Sequence, residues 1–91
     1  MLRLVKMEFA EGNAEAFTSI YSSYSERIAA TKGCRNVQLK RDLNDQNIFF
    51  TISEWESEEF LDAYRKSELF KEVWSQVKPL FANPAETWSL G

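Results

Sequence analysis

The chain predicts an α+β fold of the ferredoxin-like kind, β-α-β-β-α-β, with one antiparallel sheet and both helices on one of its faces. Three observations carry that prediction. Runs with apolar residues at every second position alternate with runs repeating every 3.6 residues or so, in the order strand, helix, strand, strand, helix, strand. The two middle strand-like runs are separated only by Asn44-Asp45-Gln46-Asn47, which makes them a hairpin. The length of 91 residues suits one small core, so residues 1–91 read as a single domain without repeats, linkers or low-complexity segments.

Leu2 to Phe9 alternates as the first strand, with Arg3, Val5, Met7 and Phe9 on one side and Leu2, Leu4, Lys6 and Glu8 on the other. Glu11-Gly12-Asn13 is a turn in which Asn13 is suited to cap a helix and Glu15 to its first turn. Phe17, Ile20, Tyr21, Tyr24 and Ile28 then mark an apolar helical stripe, and Gly33 is placed to end it as a C′ residue. Arg35 to Leu43 is the second strand, with Val37, Leu39 and Arg41 facing one way. Ile48 to Trp55 is the third: Ile48, Phe50 and Ile52 share one face, and Phe49, Thr51, Ser53 and Trp55 the other. Ser57 is placed to cap the second helix, and Ser67 to recap it after a kink. Phe60, Leu61 and Tyr64, then Phe70, Val73, Trp74, Val77 and Leu80, form its inward stripe. Pro84 closes the following loop, and Glu86 to Leu90 forms a short last strand.

Composition excludes several functions. A net charge of −3 without a basic stripe argues against a nucleic-acid surface. No apolar run approaches the roughly 20 residues of a membrane span, and the first residues enter a strand without a signal-peptide layout. The single Cys34 forms no intrachain disulfide, so a cytoplasmic setting is expected. With no histidine, the chain lacks the commonest metal ligand and the easiest neutral-pH base, so no metal site is expected. Aromatic residues make up 14% of the chain, enough to line a flat-sided pocket as well as a core.

The third strand is apolar on both faces, yet a ferredoxin-like sheet has helices on one only. Leu2, Leu4, Ile48, Phe50 and Ile52 would then form a large bare patch. A homodimer in which two such faces pack together is the economical expectation.

Trp55-Glu56-Ser57-Glu58-Glu59 at the strand-to-helix junction, with Ser67-Glu68-Leu69-Phe70-Lys71 at the second cap, resembles the antibiotic biosynthesis monooxygenase superfamily. The resemblance covers nearly the whole chain. It implies a dimeric α/β barrel with a pocket between sheet and helices in each subunit, and oxygenation without metal, flavin or any other cofactor. The haem-degrading branch is unlike this chain, which has Val5, Tyr64 and Trp74 where that branch has asparagine, tryptophan and histidine. The anthrone-oxygenating branch shares Trp55, but the positions of its asparagine and tyrosine hold Thr51 and Leu61 here. The quinol-oxidising branch often carries a histidine near Tyr64.

By pattern, the helix-facing side of the sheet offers Val5, Met7, Phe49, Thr51, Ser53 and Trp55 to the pocket, and the helices offer Phe17, Tyr21, Tyr64, Phe70 and Trp74. Trp55, Thr51 and Tyr64 are the candidate catalytic residues, and the others candidate contacts to a small aromatic ligand. An indole N–H can donate to an oxyanion but cannot serve as a base. Every one of these residues also fits plain core packing. Two functions are therefore open: cofactor-independent oxygenation of an electron-rich quinol or anthrone, or non-catalytic binding of such a molecule by the same dimeric scaffold.

Overall fold

Seven principal elements follow one another in the computed structural model, which describes residues Met1–Gly91. They are β1 (Leu2–Glu8), α1 (Ala14–Ala29), β2 (Cys34–Arg41), β3 (Ile48–Trp55), α2 (Glu58–Arg65), α3 (Glu68–Val77) and β4 (Glu86–Leu90). The strands form one antiparallel sheet in the order β2-β3-β1-β4, giving the ferredoxin-like α+β fold. No helix is long and apolar enough to cross a membrane.

Strand parity sets the two faces. Val5, Met7, Phe49, Ser53 and Trp55 are buried on the helix side, against Phe17, Tyr24 and Ile28 of α1, Leu61 of α2, and Val73 and Val77 of α3. At one end of this layer the rings are close-packed: Phe9 stacks on Phe17 at 4.3 Å, and Phe49 meets both edge-on. Leu2, Leu4, Ile48, Phe50 and Ile52 occupy the alternate positions, away from the helices. There, β4 adds Trp88 in register with Leu4 and Leu90 in register with Leu2; they are 42% and 47% exposed. The bare apolar strip thus runs across β3, β1 and β4.

Several local expectations shift, each for a physical reason. β1 ends at Glu8, one residue before Phe9, although Phe9 N still donates to the Asn47 carbonyl (2.8 Å), the next position in register, and Phe9 meets Phe81 through an isolated bridge. Asn13 occupies the N-cap position of α1 without capping it: its backbone is already helical, and its side-chain amide donates to the Leu80 carbonyl (3.2 Å). Gly33 is not the residue that ends α1, which stops at Ala29 with Ala30 as its cap. Gly33 instead shapes the turn into β2 at a φ of +87°, and its carbonyl accepts from Glu56 N (2.8 Å).

β2 is shifted relative to Arg35–Leu43. It starts at Cys34, with a bulge that inserts Arg35 opposite the Trp55–Glu54 step, and it ends at Arg41. The early end follows from Asp42, whose carboxylate accepts from Asn44 N (2.9 Å) and Asp45 N (2.8 Å) and so begins the turn before Leu43. Leu43 is left fully exposed.

Ser57 stands at the N-cap of α2, but its hydroxyl accepts no backbone N–H. The Glu59 carboxylate turns back on its own amide and then the Ser57 hydroxyl, which lowers its pKa. Ser67 does cap α3: its hydroxyl accepts from Phe70 N (3.1 Å) and donates to the Tyr64 carbonyl (2.6 Å). The stripe through Leu80 leaves α3 at Val77 and continues as a 3₁₀ turn, Lys78–Leu80, around Pro79, which has no N–H to give.

Candidate active site

Away from the close-packed phenylalanines, sheet and helices part around a cavity of about 650 Å³. Its floor is β1 and β3, where parity brings Val5, Met7, Thr51, Ser53 and Trp55 to one side. Phe17 and Tyr21 enter from α1, Tyr64 from α2, and Phe70 and Trp74 from α3. Phe49 does not reach it. Paired with Met7 at the closed end of the sheet, it is filled in by Phe9 and Phe17, and the Arg41 guanidinium lies 4.8 Å from its ring centre. Its place is in the core.

One wall is a continuous run of rings. Trp55 stacks on Tyr64 at 5.2 Å, Tyr64 meets Phe70 edge-on at 5.3 Å, Phe70 leans on Trp74 at 5.5 Å, and Trp74 meets Phe81 at 5.8 Å. Such a wall suits a planar ligand, whose faces and edges can meet rings in either geometry.

Trp55 is 1% exposed, and its indole N–H is already used: it donates to Ser53 Oγ at 2.9 Å. That changes the division of labour expected for these two residues. The Ser53 hydroxyl accepts from Trp55, and no protein acceptor takes its own hydrogen, while the residue borders the cavity. The donor offered to a ligand is therefore the serine, and an indole behind it strengthens the bond it can give. The Trp55 N–H is occupied by Ser53 and is not itself presented to the cavity. The strand end is pinned as well, since Trp55 N donates to the Met1 carbonyl (2.9 Å).

No base stands ready at neutral pH. Burial first, then the neighbouring Cys34 and Tyr21, push the Tyr64 phenol up to about 12. Tyr21 is raised by burial and by Cys34. The Cys34 thiol is half-buried and raised by desolvation, against a weak contact to the Asn36 carbonyl (3.7 Å). No carboxylate lines the cavity, and no group of three or more His, Cys, Asp or Glu is placed to hold a metal ion. A proton can leave a ligand here only if the ligand is itself acidic.

Sequence reasoning missed every charged residue of the lining. Arg3, Arg65, Lys71 and Lys78 border the cavity, as do Leu61, Phe81 and Thr87. Parity already put Arg3 beside Val5 and Met7, and an arginine on an inward strand face was the signal available. Burial, then Arg65, lowers the pKa of Arg3, with Asp62 opposing.

The family model described as "Antibiotic biosynthesis monooxygenase" matches residues 1–74. No curated protein matches the sequence. Among solved structures, a conserved protein from Methanosarcina mazei Go1 is similar at TM-score 0.89 and 23% identity, covering 96% of this chain and 87% of that one. A structure described as an antibiotic biosynthesis monooxygenase matches at TM-score 0.90 and 17% identity, covering 100% and 97%. A Nitrosomonas europaea protein matches at TM-score 0.94 and 14% identity, covering 99% and 86%. At these identities, the structural likenesses speak for the fold.

Proposed function

Because this chain belongs to the antibiotic biosynthesis monooxygenase family, we propose that it oxygenates a small, planar, electron-rich aromatic such as a quinol or anthrone. It does so without a cofactor and as a homodimer. The observation that carries this reading is the aromatic-walled cavity with one hydroxyl, Ser53, backed by Trp55. In such chemistry the substrate is the reductant. The carbanion of an anthrone methylene adds dioxygen to give a peroxide anion. Protonation and loss of water leave the carbonyl, so one oxygen atom ends in the product and the other in water, and the substrate supplies all four electrons. The protein excludes water and presents a fixed donor to the developing oxyanion.

The test is dioxygen uptake with anthrone and dihydroxynaphthalene. Turnover above the protein-free rate is expected, with a loss of roughly tenfold or more in Ser53→Ala, since a single oxyanion donor is worth that much or more. Trp55→Phe, which keeps a ring on Tyr64 but frees the serine oxygen, should lose less. Uptake equal to the protein-free control across both substrates would overturn the reading.

One observation favours a second function, ligand binding without turnover: the raised Tyr64 phenol and the absence of any other base in the cavity. Saturable ligand binding without dioxygen consumption would establish it.

A further inference from the structure

Arg3 stands directly opposite Ser53 on β3 and Ser89 on β4, on the helix side of the sheet. Its Nη1 donates to Ser89 Oγ at 3.1 Å, which lays the guanidinium along β4 and leaves its remaining N–H groups without a protein acceptor. It forms no ion pair: the four in the molecule belong to Arg27, Arg35, Arg65 and Lys71. From the end of α2, Arg65 approaches closely enough for the two like charges to oppose one another. The one acid between them, Asp62, is 4.0 Å from Arg65 and itself largely exposed.

Lys71 and Lys78 add to this, so the cavity is bordered by four cations and no carboxylate, in a chain whose net charge is −3. Asp62 partners Arg65 near the surface, whereas Arg3, drawn partly out of water, has no ion pair of its own. The same place offers the Ser53 hydroxyl hydrogen, and the cavity lacks a base of its own.

We propose that the cavity receives its aromatic ligand as an oxyanion, a carboxylate or an ionised phenol, with the anionic oxygen seated between Arg3, Ser53 and Arg65. This rests on the reading of the cavity as an aromatic-ligand site and adds the charge of what enters it. An acidic ligand also answers the missing base. A phenol or enol that ionises against Arg3 needs no side chain to take its proton, because the cation lowers its pKa and water carries the proton away.

The test compares a naphthoate with its neutral methyl ester by intrinsic fluorescence titration, and follows the visible ionisation of bound nitronaphthol by absorbance. The naphthoate should bind roughly tenfold tighter than the ester at low salt, as expected for charge-assisted hydrogen bonds. The nitronaphthol pKa should fall by about one unit on binding. Arg3→Gln should remove most of both effects while leaving ester affinity within about twofold, which also shows that the variant folds. Arg65→Gln, at an exposed position, should narrow the gap without disturbing the fold. A carboxylate preference without the phenol shift assigns a carboxylate ligand, and a phenol shift assigns an ionised phenol; either upholds the proposal. Ester binding as tight as naphthoate with no downward phenol shift overturns it and leaves the aromatic cavity standing, as do effects unchanged in both variants. Binding of none of the three probes overturns the cavity reading as well.

Discussion

Trp55 and Ser53 show how two residues can exchange roles once their geometry is known. From sequence, the indole is the candidate catalytic donor and the serine a candidate ligand contact. In the structure the indole is spent on the serine, and the serine faces the ligand space. Tyr64, stacked on Trp55, supplies a prediction whose sign can be worked out. Its phenol is raised from 10.0 to about 12, chiefly by burial. A folded pKa above the unfolded one means that its contribution to stability is complete below the unfolded value and is lost as pH rises through the folded value. Two units correspond to at most ~2.7 kcal/mol. Tyr64→Phe keeps the ring and removes the proton, so its urea midpoint should fall less than that of the parent between about pH 10 and 12. Parallel declines would show that this phenol does not govern alkaline stability. At this scale the aromatic lining was legible, because strand parity and helical spacing fix which side a ring points to. Phe49 was misplaced because parity gives the side but not the position along the strand, and α1 closes down at the Phe9 end. The cations escaped because an inward charge contradicts a core pattern until a cavity gives it somewhere to point.

Gly33 is the clearest case at the scale of elements. A Cβ built there would run into the Phe60 ring of α2, and its φ of +87° is strained for any other residue. The backbone conformation alone costs about 1–2 kcal/mol for a non-glycine residue, and displacing the ring adds to that. Gly33→Ala should therefore destabilise by roughly 2–4 kcal/mol, and by only about 1–2 kcal/mol in a Phe60→Gly background, which also removes the Phe60 Cβ that the added methyl would meet. Urea denaturation of the four proteins in this cycle measures the difference. An equal cost with and without the Phe60 ring would mean that the close approach contributes nothing. The element order, β3 from end to end and the recap at Ser67 follow from local signals, so they were legible. Gly33 looked like a helix terminator because its reason lies in α2, some distance along the chain. The ends of β2 were set by a carboxylate at Asp42 and a bulge at Arg35, neither of which announces itself in a hydrophobic pattern.

For the whole molecule, the sheet is covered by helices on one side only. Leu4 stands between Ile52 and Trp88 on the other side, and Leu2 is 39% exposed beside Leu90. We propose that a second copy of the chain covers this strip, since β4 widens it beyond the five residues expected from sequence. Ile52→Lys would put a charge into it beside Leu4, and sedimentation should then show monomers where the parent chain sediments as a dimer. A variant that remains dimeric would place the interface elsewhere. Topology was legible at this scale because two periodicities and one short hairpin turn leave few arrangements. The part played by Trp88 was not, since a five-residue strand shows little alternation by itself. β4 also has a kinetic side. Bonded to β1 along one edge and free along the other, it is the strand held by the fewest ladder bonds, and it carries Thr87 at the cavity border. Segments held in this way open at a fraction of the global unfolding free energy. Motion of these five residues thereby reshapes one border of the cavity at a free energy below that of unfolding the domain.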